Sequence, residues 1–334
     1  MRFFETARRA PILLILFLVA ACANPVRTPV ASGPAPEGAS SVRVFVEPDD
    51  GIQPVVEFIH SAHQTLDVAM YLLSDRDVIN AVEASRRHGV RVRVMLEENP
   101  YGSGPGNRSV FDRLSAAGVA TRWSPPTFKL SHDKYAIVDQ KTALVGTANW
   151  SRSAFEHNRE YLVEDTDPRD VGQLEGLFNA DWERQSFQVS DEHLVISPIN
   201  SRGDFLELAR SARQSLHLET EEVQDTQVEG ALIDAAKRGV DVRVIIPGPA
   251  GRSDANAMGA SRLRAAGVQV RRLRNLYVHA KDIVVDGREA FIGSENASAP
   301  SLDENREVGL LISDPTAVRR VERTFSHDWE DGQP

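Results

Sequence analysis

Apolar and polar positions follow a pattern that occurs twice along this chain. Residues 78–88 have apolar side chains at helical spacing, Gly89 follows, and residues 90–96 form a run rich in β-branched side chains. Residues 231–246 repeat this order, with Gly239 at the equivalent place. Because glycine commonly ends a helix, each pattern predicts a helix followed by a strand. Helices that alternate with strands predict a sheet covered by helices on both faces.

The similarity between the two parts of the chain extends well beyond these segments. Near the start of each part, similar segments lie 150 residues apart, and from His132 and His279 onward the offset stays at 147. This small drift indicates short insertions on one shared scaffold, and two long copies do not suit a solenoid. We therefore predict an α/β protein of two fused α/β/α sandwich halves, residues 41–190 and 191–334, related by a pseudo-two-fold axis.

The first 40 residues have a different character from the rest. Two arginines precede the apolar residues 12–19, and two alanines then lead to Cys22, which is the only cysteine in the chain. This order is typical of a secretory signal, and the apolar stretch is shorter than the about 20 residues of a membrane span. The residues before Cys22 resemble the lipobox of bacterial lipoproteins. An ordinary signal peptide with an incidental cysteine is the alternative.

These features predict a signal peptide at residues 1–21 and a lipidated Cys22 that begins a proline-rich tether over residues 22–40. Such a tether is extended and does not fold by itself. The multiple acyl chains of a lipoprotein are sufficient for stable membrane attachment. The expected location is the bacterial cell envelope, on the outer membrane facing the periplasm.

Composition and charge narrow the possible chemistry only slightly. The 334 residues are 41% hydrophobic and 26% charged, with a formal net charge of −10. An acidic balance disfavours a general nucleic-acid binder, because affinity for the phosphate backbone depends on clustered lysine and arginine. A single cysteine cannot form an intramolecular disulfide. The chain has no zinc-type cluster, so we expect neither a metal nor another cofactor.

Each half contains the same series of polar residues around its apolar runs. The series is His132, Lys134, Asp139, Thr147, Asn149 and Glu160 in the first half, and His279, Lys281, Asp286, Ser294, Asn296 and Glu307 in the second. Side chains at i and i+2 of a strand share a face, so each half projects an imidazole and an ammonium group together. Two such sets fit one tetrahedral phosphate, whose oxygens lysines and asparagines can hold.

This double series resembles the HxKxxxxD signature of the phospholipase D superfamily, with its Gly-Ser/Thr-x-Asn and Asn-x-Glu elements, over about residues 41–331. The resemblance implies a metal-free reaction in two steps. One histidine attacks phosphorus and forms a phosphohistidine, while the other protonates the leaving alcohol and then deprotonates water or an acceptor alcohol. By similarity to members with two motifs, we expect His132 to be the nucleophile and His279 the general acid and base.

The resemblance also assigns supporting roles. The groups expected to hold the phosphoryl oxygens are Lys134, Thr147, Asn149, Lys281, Ser294 and Asn296. Glu160 and Glu307 are expected to hydrogen-bond the distal nitrogens of the histidine rings and so fix their tautomers. Asp139 and Asp286 fall on the opposite strand face by parity, and we interpret them as scaffold residues of the motif.

Further residues are weaker candidates for the site. Glu219 and Glu221 share a strand face, and we interpret them as a solvated or scaffold carboxylate pair; contact with a cationic head group is the alternative. Tyr71 aligns with Glu221 and is a candidate for the same pocket, and the glycine-rich residues 101–107 are predicted to be a surface loop near the cleft. Four aromatic residues at i, i+4 spacing are predicted core residues: Phe178, Trp182, Phe325 and Trp329.

Four functions are compatible with these features. We favour a monomeric phospholipase D that hydrolyses phospholipid head groups at the membrane surface. The alternatives are a transphosphatidylase resembling cardiolipin synthase, a superfamily nuclease and a catalytically silent binding lipoprotein. Such synthases usually carry amino-terminal membrane spans, and the small nucleases usually carry one motif per chain. The intact polar series in both halves disfavours a silent protein.

Overall fold

The computed structural model describes residues 41–101, 104, 106–249 and 253–334, which belong to one compact unit. The predicted signal peptide, Cys22 and the tether lie outside the described residues. Within the part of the chain that the structure describes, no helix has the length and apolar character needed to cross a membrane.

The first half is built on a mixed sheet. Its strands are β1 (Val42–Glu47), β2 (Thr65–Met70), β3 (Arg91–Leu96), β4 (Ala120–Trp123), β5 (Lys134–Val138), β6 (Thr142–Gly146) and β7 (Asn158–Asp165). Its helices are α1 (Gln53–His60), α2 (Arg76–Arg87), α3 (Arg108–Ala116), α4 (Arg152–Glu156) and α5 (Pro168–Glu183). The sheet order is β1-β7-β6-β5-β2-β3-β4, with β2, β3 and β4 parallel and the other pairs antiparallel.

The second half repeats this connectivity. Its strands are β8 (Leu194–Ser197), β9 (Ser215–Thr220), β10 (Asp241–Pro247), β11 (Gln269–Leu273), β12 (Tyr277–Val278), β13 (Lys281–Val285), β14 (Glu289–Gly293) and β15 (Glu307–Ile312). Its helices are α6 (Ser201–Ser211), α7 (Thr226–Lys237), α8 (Ala257–Ala265), α9 (Ala299–Asp303) and α10 (Pro315–Asp331). The sheet order is β8-β15-β14-β13-β9-β10-β11, which matches the first half strand for strand, while the short β12 pairs with β7. The prediction of two similar α/β halves is confirmed.

The helices and strands predicted from the repeated pattern are present, with shifted starts. Helix α2 begins at Arg76, before the predicted residue 78, because the Asp75 side chain caps it by accepting from two backbone N–H groups. Gly89 and Gly239 have φ of +92° and +89°, left-handed values that favour glycine and end both helices.

Apolar side chains form three clusters. One cluster lies between the first sheet and helices α1 to α3, and a second lies between the second sheet and helices α6 to α8. The third contains residues from both sheets together with α5 and α10, so it joins the halves. Phe178 and Phe325 are fully buried in it, beside Trp182 and Trp329, and their predicted place in the core is confirmed.

Candidate active site

Each candidate histidine lies just before a central strand of its own half and is held by the backbone of the other half. The His132 N–H donates to the carbonyl of Arg306 at 2.8 Å, and the His279 N–H donates to the carbonyl of Arg159 at 3.2 Å. The two arginines are the central residues of the Asn-Arg-Glu segments that the sequence repeats. The geometry of both histidines therefore depends on the packing of one half against the other.

The carboxylates that fix the histidine rings also come from the opposite half. His132 Nδ1 is 2.7 Å from Glu307 Oε2, and His279 Nδ1 is 2.9 Å from Glu160 Oε2. A carboxylate on Nδ1 places the ring proton on that nitrogen and leaves the Nε2 lone pair available. The predicted hydrogen bonds between these glutamates and the histidine rings are present. That each glutamate pairs with the histidine of the opposite half could not be predicted from the spacing of residues along the chain.

Both carboxylates are completely buried and are themselves fixed by neighbouring donors. Glu160 accepts from Thr147 Oγ1 at 2.6 Å and from Asn158 Nδ2 at 3.1 Å. Glu307 accepts from Ser301 Oγ at 2.7 Å. Burial opposes ionisation of Glu307, but the neighbouring His132 ring holds the pKa of this carboxyl below its usual value.

Two hydroxyls that were expected at the phosphate are used elsewhere. Besides its bond to Glu160, the Thr147 hydroxyl accepts from the Tyr161 N–H at 2.9 Å. The Ser294 hydroxyl accepts from the Val308 N–H at 3.0 Å. Both residues are fully buried, and neither lines the cleft, because each hydroxyl turns toward the adjacent strand where β6 or β14 ends. The expectation that these hydroxyls contact substrate is therefore corrected.

The remaining predicted groups surround one cleft of about 430 Å³, a volume suited to a small ligand. Its lining includes His132, Asn149, His279 and Asn296. Lys134 and Lys281 are buried just behind this lining, where each ammonium group donates to the carbonyl oxygen of the histidine of its own motif. The structure therefore brings imidazoles, amides and ammonium groups from both halves to one place.

Burial shifts the titration of the first-half groups. It lowers the pKa of His132 from 6.5 to about 4, with help from the charges of Lys134 and Lys281 and against the effect of Glu307. Burial likewise lowers the pKa of Lys134 to about 7. His132 is therefore neutral near pH 7, as a nucleophile has to be. A bound phosphate anion would favour the charged form of Lys134 because opposite charges attract.

Asp139 and Asp286 face away from the cleft. The Asp139 carboxylate accepts from the backbone N–H groups of residues 63, 64 and 65, and the Asp286 carboxylate accepts from those of residues 213, 214 and 215. Although partial burial opposes it, this backbone bonding holds the pKa of Asp139 below its usual value. Asp139 therefore ties the end of β5 to the start of β2, and Asp286 ties the end of β13 to the start of β9. This position fits the scaffold interpretation.

The weaker candidates separate into two groups. Tyr71 and Glu221 both line the cleft, and the Tyr71 ring meets the His132 ring edge-on at 4.5 Å. Glu219 does not reach the cleft, since its buried carboxylate accepts from the Tyr161 hydroxyl at 3.2 Å. The alternative in which Glu219 and Glu221 both face a head group is therefore wrong for Glu219. From the predicted glycine-rich loop, Tyr101 lines the cleft, while residues 102, 103 and 105 lie outside the described residues.

Two buried ion pairs that were not singled out from the sequence join the halves. Arg159 reaches Asp328 on α10, with Nε 2.5 Å from Oδ2, and Arg306 reaches Asp181 on α5, with Nη2 3.0 Å from Oδ1. A signal was available, because both the arginines and the aspartates are spaced by the same 147 residues as the histidines. These pairs hold the segments that carry Glu160 and Glu307.

Within the described ranges, one group has ligand atoms close enough together to hold a metal ion: Asp170, Asp191 and His193. It lies where the two halves are connected, and none of its members lines the cleft. A hydrogen bond from the ring to Asp170 raises the pKa of His193 to about 9, so the protonated ring pairs with the carboxylates of this group.

Comparison with known proteins identifies relatives of this arrangement. The chain is 25% identical over 340 residues to the probable cardiolipin synthase YwiE of Bacillus subtilis (strain 168), covering 88% of this chain and 67% of that protein. It is 30% identical over 128 residues to the mitochondrial cardiolipin hydrolase of Chlamydomonas reinhardtii, covering 38% of this chain and 56% of that protein. The chain thus spans about two thirds of the first relative and little more than half of the second.

Solved structures share the fold. A polyphosphate kinase from Porphyromonas gingivalis matches with a TM-score of 0.69 and 19% identity, over 85% of this chain and 46% of that one. A phosphatidylserine synthase from Haemophilus influenzae Rd KW20 matches with a TM-score of 0.64 and 12% identity, over 86% of both chains. A family model described as "Cardiolipin synthase, PLD-like domain" matches residues 55–182 and 205–329. Because this match covers most of both halves, the chain belongs to the phospholipase D superfamily, as a cardiolipin synthase-like member.

Proposed function

We propose that this protein transfers the phosphatidyl group of a phospholipid to an alcohol through a phosphohistidine on His132. The observation that carries the proposal is the pairing of each histidine Nδ1 with a buried carboxylate of the opposite half. That pairing leaves the Nε2 atoms of both rings, which line the shared cleft, free of the ring-fixing carboxylates. Asn149, Asn296 and the two lysines supply donors for the phosphoryl oxygens.

In the first step, His132 Nε2 attacks phosphorus and forms a P–N bond while the P–O bond to the leaving alcohol breaks. His279 gives its Nε2 proton to the departing oxygen, so the alcohol leaves neutral. Glu307 supports the first histidine, because it stabilises the positive charge that develops on the ring. Glu160 supports the second, because it holds His279 in the orientation needed for donation.

In the second step, an acceptor hydroxyl replaces the first alcohol. His279 Nε2 takes the hydroxyl proton, the acceptor oxygen bonds to phosphorus, and the P–N bond to His132 breaks. The electron pair returns to His132, and His279 is protonated again for the next turnover. The same groups therefore serve both steps, with the role of His279 reversed.

Transfer to an alcohol is favoured over hydrolysis by the similarity to cardiolipin synthases across both halves. This choice revises our initial preference for a hydrolase. Hydrolysis is the second candidate, supported by the 30% identity to a cardiolipin hydrolase over a shorter region. Water differs from an alcohol only as the acceptor in the second step.

The test uses the full chain with phosphatidylglycerol vesicles, ethanolamine as the primary alcohol and, in a separate reaction, DNA. We expect phosphatidyl-alcohol as the main product and its loss in the His132→Ala and His279→Ala variants. His157→Ala is the control, because the His157 side chain is 70% exposed. Phosphatidic acid as the sole product would favour hydrolysis, and cleavage of DNA alone would favour a nuclease. Phospholipid binding without any product would support a silent binding protein.

We also propose that the protein is anchored in the bacterial envelope through acylated Cys22. The proposal is supported by the order of charged, apolar and small residues before this cysteine. Labelled palmitate should be incorporated into the parent protein, which should sediment with membranes. A Cys22→Ser variant that still carries label would contradict the proposed site of attachment.

A further inference from the structure

Glu221 occupies the place in the second half that Tyr71 occupies in the first. The Glu221 N–H donates to the carbonyl of Ala280 at 3.1 Å, and the Tyr71 N–H donates to the carbonyl of Asp133 at 3.0 Å. The two backbones are therefore equivalent, and both side chains enter the cleft. The repeat consequently places a carboxylate beside His279 and an aromatic ring beside His132.

The Glu221 carboxylate touches several groups of the second half. Its Oε2 is 2.9 Å from Lys281 Nζ, 3.4 Å from Asn296 Nδ2 and 3.5 Å from His279 Nε2. Its Oε1 accepts from the Tyr277 hydroxyl at 3.0 Å, which ties the carboxylate to the cleft wall. Among the described residues, no carboxylate forms an ion pair with Lys134 in the first half.

Glu221 is an anion in this environment. Burial would raise the pKa of its carboxyl, but the charges of Lys281 and His279 outweigh burial and hold that pKa well below its usual range. A second carboxylate, Glu222, lines the cleft next to it. This wall therefore repels further negative charge and favours hydrogen-bond donors and cations.

His279 Nε2 is the atom that exchanges a proton with the leaving and accepting alcohols in the proposed function. An alcohol oxygen bound there lies within reach of Glu221, which is 3.5 Å from the same nitrogen. An alcohol with only an alkyl chain would desolvate the Glu221 carboxylate without adding a donor to those from Lys281, Asn296 and Tyr277, and desolvation of a charge is costly. A second hydroxyl or an ammonium group on the alcohol would satisfy it.

We infer that Glu221 is a specificity-determining residue that selects alcohols carrying a hydroxyl or ammonium group close to the reacting oxygen. The inference rests on the proposed transfer reaction and adds the class of alcohol it uses. Both alcohols, the one that leaves and the one that accepts, pass the same carboxylate, so the selection applies to donor lipid and acceptor alike. Simple alkanols are poor acceptors for this reason.

The test is a competition between acceptors of matched size in one reaction. The full chain is given phosphatidylglycerol in mixed micelles with equal concentrations of deuterated glycerol and 1-propanol, or of ethanolamine and ethanol. The deuterium distinguishes newly formed phosphatidylglycerol from the donor lipid. The two products arise from one shared phosphohistidine, so their ratio reports acceptor selection and not the rate of the first step. The parent enzyme should favour glycerol and ethanolamine, and the two pairs distinguish hydroxyl from ammonium recognition.

Glu221→Ala should reduce both ratios by about tenfold or more, the usual effect of losing a hydrogen bond to a charged group. Glu221→Gln keeps the size of the side chain and should reduce the ethanolamine ratio more than the glycerol ratio, because only the charge is lost. Glu164→Gln is the control, because the Glu164 carboxylate pairs with the exposed Arg43 and does not line the cleft, and it should leave both ratios within about twofold of the parent.

The outcomes separate the inference from the function on which it rests. Turnover with product ratios unchanged in both Glu221 variants would overturn the inference and leave the transfer reaction standing. A slower rate with unchanged ratios would have the same meaning, since it would reduce Glu221 to a support for Lys281. If the parent enzyme turns over no phospholipid at all, the proposed function fails and the inference fails with it.

Discussion

Replacing Glu307 with glutamine should disable His132, although the two residues belong to different halves. One oxygen of Glu307 accepts from Ser301 Oγ at 2.7 Å and Asn305 Nδ2 at 3.0 Å, and the other is 2.7 Å from His132 Nδ1. In the variant, these two donors should retain the amide oxygen, so the amide NH2 would face Nδ1. The imidazole proton would then move to Nε2, the nitrogen that attacks phosphorus.

The size of the effect follows from this geometry. A hydrogen bond to a charged group contributes about 1.5–3 kcal/mol, which corresponds to roughly 10- to 150-fold in rate. The wrong tautomer adds to that loss, since the comparable exchange in a serine-protease triad lowers kcat about 10⁴-fold. Glu307 is fully buried, so solvent does not replace the missing contact. We expect the first step to slow by about 10² to 10⁴-fold.

The release of p-nitrophenol from phosphatidyl-p-nitrophenol, followed by stopped flow, distinguishes the role of Glu307 from that of Glu160. This leaving group departs without a proton, so Glu160→Gln, which disturbs the acid His279, should regain most of its rate with this substrate. Glu307→Gln should stay slow with this substrate, because it disturbs the nucleophile His132. Glu304→Gln is the control, because the exposed Glu304 pairs with Lys129 in a neighbouring loop. Rescue of Glu307→Gln combined with no rescue of Glu160→Gln would refute the assignment of the two histidines.

Three other predictions concern titration and stability. Because His132 has a pKa near 4 and is a nucleophile only when neutral, kcat/KM should rise with pH through about 4, and an acidic limb near 6.5 would argue against this. Asp328→Asn leaves the buried Arg159 with only the more distant, exposed Asp49 as a charged partner. It should cost about 3 kcal/mol, seen as a Tm lower by roughly 5 °C in calorimetry, whereas the exposed Asp331→Asn should change Tm little. Burial and, next, the charge of Asp50 raise the pKa of Glu47 to about 8. The contribution of Glu47 to stability is therefore present below about pH 4.5 and is lost as the pH rises toward 8. The Tm of Glu47→Gln should fall less than that of the parent between about pH 5 and pH 8, and equal losses would contradict the shift.

Much of the fold could be predicted because its signals are local. Helical spacing, a glycine at each helix end and β-branched runs all act over a few residues, and the repeat doubled each signal. The set of histidines, asparagines and lysines could be predicted for the same reason. Their convergence required only that two similar halves face each other.

What the sequence could not provide depends on tertiary packing and on where strands end. The pairing of Glu307 with His132 is set by how one half packs on the other, and spacing within a half does not contain that information. Thr147 turns its hydroxyl to the adjacent strand just where β6 ends. Strand parity put Glu219 and Glu221 on one face, but β9 ends at Thr220, so Glu221 leaves the strand and enters the cleft.

The central claim is that two imidazoles from opposite halves act on one phosphorus atom. The most direct measurement is rapid acid-free quenching during turnover of a phospholipid, followed by peptide mass spectrometry and by counting bound phosphatidyl groups per chain. We expect at most one group per chain, attached to the peptide that contains His132 and absent in His132→Ala. Two groups per chain, or a group on His279 in the parent enzyme, would contradict the account.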